Sequence, residues 1–218
     1  MKSNKKIRNN KTSLYISKIE QKGKFDIGDN LIFLSLFKAI DELLEKDSLV
    51  VAIEGGSASG KTTLAKMLEK MYDCTVIHMD DFFLRPEQRT STRYAEAGGN
   101  IDRERFLEEV LVPLIKNETI YYRKFDCSTS TISAPIKITP KKITIIEGVY
   151  SMHPAFADYY DLSVFLDISP ELQRTRIEKR NSPHIAEQFY NMWIPLERIY
   201  FSKMHIQERS DISILIHK

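Results

Sequence analysis

Between Gly55 and Thr62 the chain reads Gly55-Gly56-Ser57-Ala58-Ser59-Gly60-Lys61-Thr62, which fits G-x-x-x-x-G-K-[ST], and it follows directly on the apolar run Val50-Val51-Ala52-Ile53. That order constrains the fold. A buried strand has to deliver the chain to a glycine-rich turn, and a helix has to begin at Gly60 or Lys61. Glycine is needed where backbone comes close to a phosphate in conformations that a Cβ obstructs. The loop N–H groups and the positive end of the helix dipole then face an anion. Residues Gly55 to Thr63 are expected to bind a nucleoside triphosphate, with Lys61 reaching its terminal phosphates and the Thr62 hydroxyl on Mg²⁺. A glycine turn with a surface lysine leaves the sequence of strand, loop and helix unexplained.

Composition narrows the class. At 218 residues the chain suits one folded domain with a substantial core. The net charge is only +2, so no global basic surface argues for a nucleic-acid partner. Cys74 and Cys127 make neither a disulfide framework nor a spaced metal site, and a reduced, cytoplasmic setting is expected. No apolar run approaches the ~20 residues of a membrane span, and no signal-like apolar stretch follows the N-terminal lysines. Residues 1–12 carry Lys2, Lys5, Lys6, Arg8 and Lys11 among asparagines and read as a solvated, disordered tail. Residues 13–48 read as a strand and helix extension, and 49–218 as the functional domain. The oligomeric state stays open, a homo-oligomer included.

The pattern of apolar residues predicts a short strand within Ser13 to Lys22 and an amphipathic helix over Leu31 to Leu44, capped by Asp29 or Asn30. Val50 to Ile53 is the first core strand, and the helix of the glycine motif continues over Thr63 to Met71. Cys74 to Met79 reads as a strand, Arg85 to Gly99 as a loop, and Asp102 to Leu114 as a helix. Thr119 to Phe125 and Ala134 to Thr139 suggest a hairpin that projects from the core. Ile143 to Ile146 and Leu162 to Leu166 are strands, Pro170 to Arg180 and His184 to His205 helices, and Ile212 to Ile216 a last strand. Apolar strands alternating with helices indicate an α/β fold, a largely parallel sheet with helices on both faces.

Two acidic stations follow from that order. His78-Met79-Asp80-Asp81-Phe82-Phe83 ends the second strand, and ligands of open α/β sheets sit outside the carboxyl ends of the strands. One of these carboxylates could take a proton from a hydroxyl or hold Mg²⁺ through water. Neighbouring residues point differently, so Asp80 and Asp81 are not equivalent. Glu147 ends the strand Thr144-Ile145-Ile146, the position of a carboxylate that organises the hydration shell of Mg²⁺.

Gly55-Gly-Ser-Ala-Ser-Gly-Lys-Thr-Thr63, Asp80-Asp-Phe-Phe83, Gly99-Asn-Ile-Asp102, Tyr122-Arg-Lys-Phe-Asp126 and Ile146-Glu-Gly-Val-Tyr150 follow one another as in the uridine kinases. The chain resembles that group, together with nicotinamide riboside kinases, phosphoribulokinases and type I pantothenate kinases, from about Leu49 to Ile216. The resemblance implies a P-loop NTPase fold and transfer of a γ-phosphate from ATP or GTP to a primary hydroxyl of a small molecule, with a nucleoside favoured. It implies Asp80 as the catalytic base and Thr62, Asp80 and Glu147 around the metal. It implies Asp102 on sugar hydroxyls, Phe125 and Asp126 in the hairpin that meets the base, and Arg176 and Arg180 closing over the transferring phosphate.

Departures from the pattern bear on the acceptor. The hairpin reads Phe125-Asp126-Cys127-Ser128-Thr129-Ser130, without the histidine with which uridine kinases read a pyrimidine, and Asp102 is followed by Arg103 rather than His-Pro. Arg85, Arg89 and Arg93 recur every fourth residue, either as a solvated face or as a site for a phosphate already on the acceptor. Trp193 reads as core, with stacking on a base as the rival role. Asp102 has its own rival role, as the N-cap of the helix it opens. Two other functions compete with a nucleoside kinase: a kinase for a phosphorylated sugar or pantothenate-like compound, and a nucleotide-dependent regulator. No Asn-Lys-x-Asp or Thr-Lys-x-Asp stretch for reading guanine is present.

Overall fold

A computed structural model describes residues 28–217. The basic tail and the strand expected within Ser13 to Lys22 lie outside the described residues, as do the side chains of Asp29 and Asn30. A 3₁₀ segment, Gly28–Phe33, leads into helix α1 (Leu34–Leu43), so the expected helix begins as a tighter coil. Strand β1 (Leu49–Gly55) enters the glycine loop and helix α2 (Lys61–Tyr72) leaves it. Strand β2 (Thr75–His78) passes into a 3₁₀ turn, Met79–Phe82, that carries both aspartates.

The central sheet has the order β2–β7–β1–β8–β9, with β7 at Ile143–Glu147, β8 at Leu162–Ile168 and β9 at Ile212–Ile216. All of its pairings are parallel. Alternate residues of the strands face opposite sides. Val51 and Ile53 pack with Leu36, Phe37 and Ile40 of α1 and with Leu64 and Leu68 of α2. Ala52 and Ile146 pack with Phe82, Phe106, Phe156 and Tyr200 on the other face. Helices therefore cover both sides, which is why the strands read as unbroken apolar runs. Beside this sheet, β3 (Ile120–Tyr122) pairs with β6 (Ile136–Ile138), and beyond them β4 (Phe125–Asp126) pairs with β5 (Thr131–Ile132), both antiparallel. This is the expected hairpin.

Three segments differ from the sequence reading. Arg85 to Gly99 is not all loop: it holds a 3₁₀ turn, Pro86–Gln88, and helix α3 (Ser91–Ala95), whose N-cap is Thr90. The helix expected over Asp102 to Leu114 is α4 (Arg103–Phe106), a π-helical turn (Leu107–Leu111) and α5 (Val112–Ile115). After α6 (Pro170–Arg180), the long helix expected from His184 to His205 is likewise α7 (Pro183–Gln188), a π turn (Phe189–Trp193) and α8 (Ile194–Lys203). A proline follows each π turn, Pro113 and Pro195. Proline lacks the N–H that would bond four residues back, and its ring clashes with that carbonyl. The helix widens instead: Val112 N–H bonds to Leu107 O and Ile194 N–H to Phe189 O, each five residues apart.

Candidate active site

The loop between β1 and α2 lies at the carboxyl end of the central strand, where neighbouring connections leave for opposite faces and a crevice opens. Its conformation explains its glycines. Gly55 has φ +146°, and a Cβ there would come within 2.5 Å of the Leu166 carbonyl oxygen. Gly60, at φ +103°, turns the chain into α2. Lys61 is folded back over the loop, its Nζ donating to Gly55 O at 2.8 Å and Gly56 O at 3.0 Å.

Acids converge on this loop. Glu147, buried at the end of β7, accepts from Thr62 Oγ1 at 3.0 Å and pairs with His78 Nδ1. That pairing holds the His78 pKa above its ordinary value. Asp80 opens into the cleft; the protein packed around it raises its pKa, and Lys61 opposes the shift. Asp81 turns the other way and accepts from Tyr122 OH at 2.9 Å, with Lys124 Nζ at 3.1 Å. The two aspartates are thus separated by environment: one faces the cleft, the other is tied to the hairpin.

Helix α6 crosses the loop from above. Gln173 Nε2 donates to Ser57 O at 2.9 Å, and Arg176 Nη1 donates to Ala58 O at 2.9 Å and Ser59 O at 3.2 Å. Arg180 lines the cleft and lies 5.5 Å over the Phe189 ring. From α8, Glu197 accepts from Ser57 N at 3.0 Å and from the Ser57 hydroxyl. Burial raises the Glu197 pKa, and the Ser57 donors hold it back.

Ser57 to Thr63, Asp80, Glu147, Arg176 and Arg180 line a single cleft of about 1060 Å³. Pockets for one small ligand commonly measure roughly 300–1,000 Å³, so this one has room for two reactants. Past Asp80 its wall includes Phe83, Tyr94, Asn100, Tyr150 and Trp193. Trp193, expected in the core, is half-buried and faces the cleft with Phe83 at 6.2 Å.

Other sequence candidates lie off that lining. Asp102 is buried; it caps α4 through Arg105 N at 3.2 Å and meets Arg105 Nε at 3.2 Å, the geometry of its capping role. Phe125 is buried with the Arg89 guanidinium 5.5 Å from its ring. Asp126 is exposed and its carboxylate accepts from Ser128 N and Oγ. Of the arginine row only Arg89 lines the cleft. Arg93 is spent on Glu104, Gly99 O and Ile101 O, and Arg85 on Gln88 and Glu87. Sequence reading missed Gln173 and Glu197. The one available signal for Glu197 was an acid one turn beyond the single tryptophan of an apolar run.

The family model described as "Phosphoribulokinase / Uridine kinase family" matches residues 50–182. The uridine kinase of Ligilactobacillus salivarius is 26% identical over 147 residues, covering 63% of this chain and 68% of that protein. The uridine kinase of Oceanobacillus iheyensis is 28% identical, covering 62% and 68%. Uridine-cytidine kinase D of Dictyostelium discoideum is 26% identical over 88% of this chain but 40% of its own length. A possible uridine kinase from Bacillus stearothermophilus shares the fold, with a TM-score of 0.60 and 23% identity, covering 83% of this chain and 99% of that one. The match runs from the first core strand to the end of α6 and takes in the loop, both acidic stations and the arginines above them: the chain belongs to the phosphoribulokinase/uridine kinase family.

Proposed function

We propose that the protein transfers the γ-phosphate of ATP to a primary hydroxyl of a nucleoside. The observation that carries this reading is Asp80, the aspartate that faces the same cleft as the phosphate loop and the Thr62–Glu147 pair. Phosphoryl transfer asks mostly for positioning and for charge aimed at the spreading negative charge, and little covalent chemistry from the protein. The relatives named as uridine and uridine-cytidine kinases favour a nucleoside as acceptor. The tied-up Arg85 and Arg93 weigh against an acceptor that already carries a phosphate.

In this reading Lys61 exchanges its bonds to the Gly55 and Gly56 carbonyls for phosphate oxygens, and the loop amides from Ser57 onward hold the β- and γ-phosphates. Asp80 accepts the hydroxyl proton as the new O–P bond forms and ADP departs. Arg176 and Arg180 face the transferring group from α6 and shed water from it. Thr62 and Glu147 fit a magnesium site, being a hydroxyl and a carboxylate already in contact at the loop, and Mg²⁺ typically needs only one or two protein groups besides phosphate and water. When bound, the ion offsets the charge of the β- and γ-phosphates.

The test is direct: the purified chain with ATP and Mg²⁺ is assayed for ADP release and product mass against nucleosides, their 2′-deoxy counterparts, pantothenate and sugar phosphates. Ribosides are expected to be the best acceptors, with weak discrimination among bases because the hairpin lacks a histidine. Transfer to pantothenate or a sugar phosphate alone, or nucleotide binding without transfer to anything, would sink the nucleoside reading.

A further inference from the structure

The cleft does not stop at the phosphate loop. The sheet order sets its two ends: β2, which delivers Asp80, is one edge strand, β9 is the other, and β1 with the loop lies midway. Strands are about 4.8 Å apart, so roughly 10 Å of sheet extends from the loop to each edge. A triphosphate seated in the loop with its γ-phosphate toward Asp80 therefore carries the rest of its nucleotide toward β9. There the same cleft is walled by Leu31, Ile32 and Phe33, by Met67 one turn along α2 from Thr63, by Ile216 at the end of β9, and by Ile185 of α7.

This wall is apolar on several sides and open. Leu31 is 47% exposed, Ile32 39% and Ile185 39%. Phe33 is less exposed and packs against the same core cluster as Ile212 of β9, and the 3₁₀ segment lies in contact with β9. Large side chains held at the rim of a cleft by such a contact, with their apolar surface facing the cavity, suit a flat apolar ligand. A nucleobase has that shape, and the phosphate loop fixes where its other end must be. The family model's match begins at residue 50, so Leu31 to Phe33 lie outside the region it covers.

We infer that the segment Leu31 to Phe33, together with the end of β9, forms the base subsite for the donor nucleotide, gripping the faces of the ring by apolar contact. The inference rests on the reading of the loop as the donor triphosphate site, and the experiment separates the two. Mg²⁺-ATP and Mg²⁺-tripolyphosphate, which has the phosphates and no base, are titrated by calorimetry into the full chain and into the double variant Leu31→Gln/Ile32→Gln. Both side chains face solvent, so the fold is expected to survive, and each single substitution gives the same readout in a smaller step. ATP affinity should fall about tenfold, the scale of losing two half-exposed apolar contacts, while tripolyphosphate affinity stays unchanged. Unchanged ATP affinity in the variant, or an equal loss for both ligands, overturns the base subsite. Failure of the unaltered chain to bind either ligand overturns the reading of the loop itself.

Discussion

The phosphate loop and the lid that crosses it, α6 through the start of α8, are held by different means. The loop is set by backbone: β1 beneath it is buried along its whole length, and Gly55 leaves no room for a Cβ against Leu166. The lid has a small core, Ile177, Ala186 and Ile194, that touches the loop only at Ala58 among the described residues, and it otherwise reaches the loop through long side chains, Gln173 and Arg176. Both of those side chains end on loop carbonyls. A site held by extensive packing is ready before its ligand arrives, whereas one held by a small apolar contact and a few hydrogen-bonded side chains can come apart locally at low free energy. The contrast assigns rigidity to the phosphate loop and motion to α6 with Arg176 and Arg180.

Substitutions on the two sides should therefore fail differently. The largest effects belong to the floor of the cleft. Asp80→Asn is expected to lower kcat by roughly 10²–10⁴-fold and Lys61→Ala by on the order of 10²-fold or more, with melting temperatures close to that of the unaltered chain. Asp81→Asn should cost far less, since that carboxylate faces the hairpin; a larger loss at Asp81 than at Asp80 would reverse the assignment.

Next comes the lid core. Ile177→Ala removes a fully buried side chain, a change that costs about 2–5 kcal/mol. If the lid opens as its own unit, amide exchange should accelerate through Pro170–Arg180 and leave β1 and β7 protected. Equal acceleration in both would show that lid and loop unfold as one. Smaller again, Arg176→Ala should lower kcat/KM by roughly ten- to a hundredfold, the scale of a charged hydrogen bond, without altering exchange in β1.

The smallest effect is a slope with pH. Glu54, buried in β1 under the loop, accepts from Gly55 N, Met152 N and Tyr200 OH. Burial nonetheless raises its pKa from 4.5 to about 8. Between those values the folded chain binds a proton that the unfolded chain has lost, so this contribution is complete below pH 4.5 and fades as pH rises toward 8. Melting temperature measured across that interval should decline, and less steeply for Glu54→Gln. Asp80 and Glu197, also raised by burial, slope in the same sense and keep the variant's curve from being flat. An unchanged slope in Glu54→Gln would mean that Glu54 is ionised in the fold.

Much of the loop side was legible in the sequence because its parts are local. Strand, glycines, Lys61 and Thr62 occupy one short stretch, and the acids close strands that read as apolar runs. The lid side was not, because its contacts bridge residues far apart in the chain: Glu197 meets Ser57 across 140 positions and Gln173 across 116. No local pattern marks such a pair. The position of Asp102 illustrates a further limit, since an acid opening a helix reads the same whether it caps the backbone or waits for a sugar. The place of Trp193 beside Phe83 escaped for a related reason: an apolar run shows that a side chain avoids water, not which wall of which cavity it joins.

The π turn before Pro195 has a consequence for how this lid tolerates insertions and deletions. A wide turn holds one residue more than an ordinary helical turn, so losing a single residue from Phe189–Trp193 would return it to α-helical spacing, at the cost of the proline ring meeting the carbonyl four residues back. Because the wide turn absorbs its extra residue locally, the helices on either side would keep their phase. With α8 anchored through Glu197 and Tyr200, α7 would keep Ile185 on the wall of the cleft. One codon lost here would thus leave the cavity wall and the central sheet in place, whereas the same loss within a regular helical turn would swing the residues beyond it by about 100°.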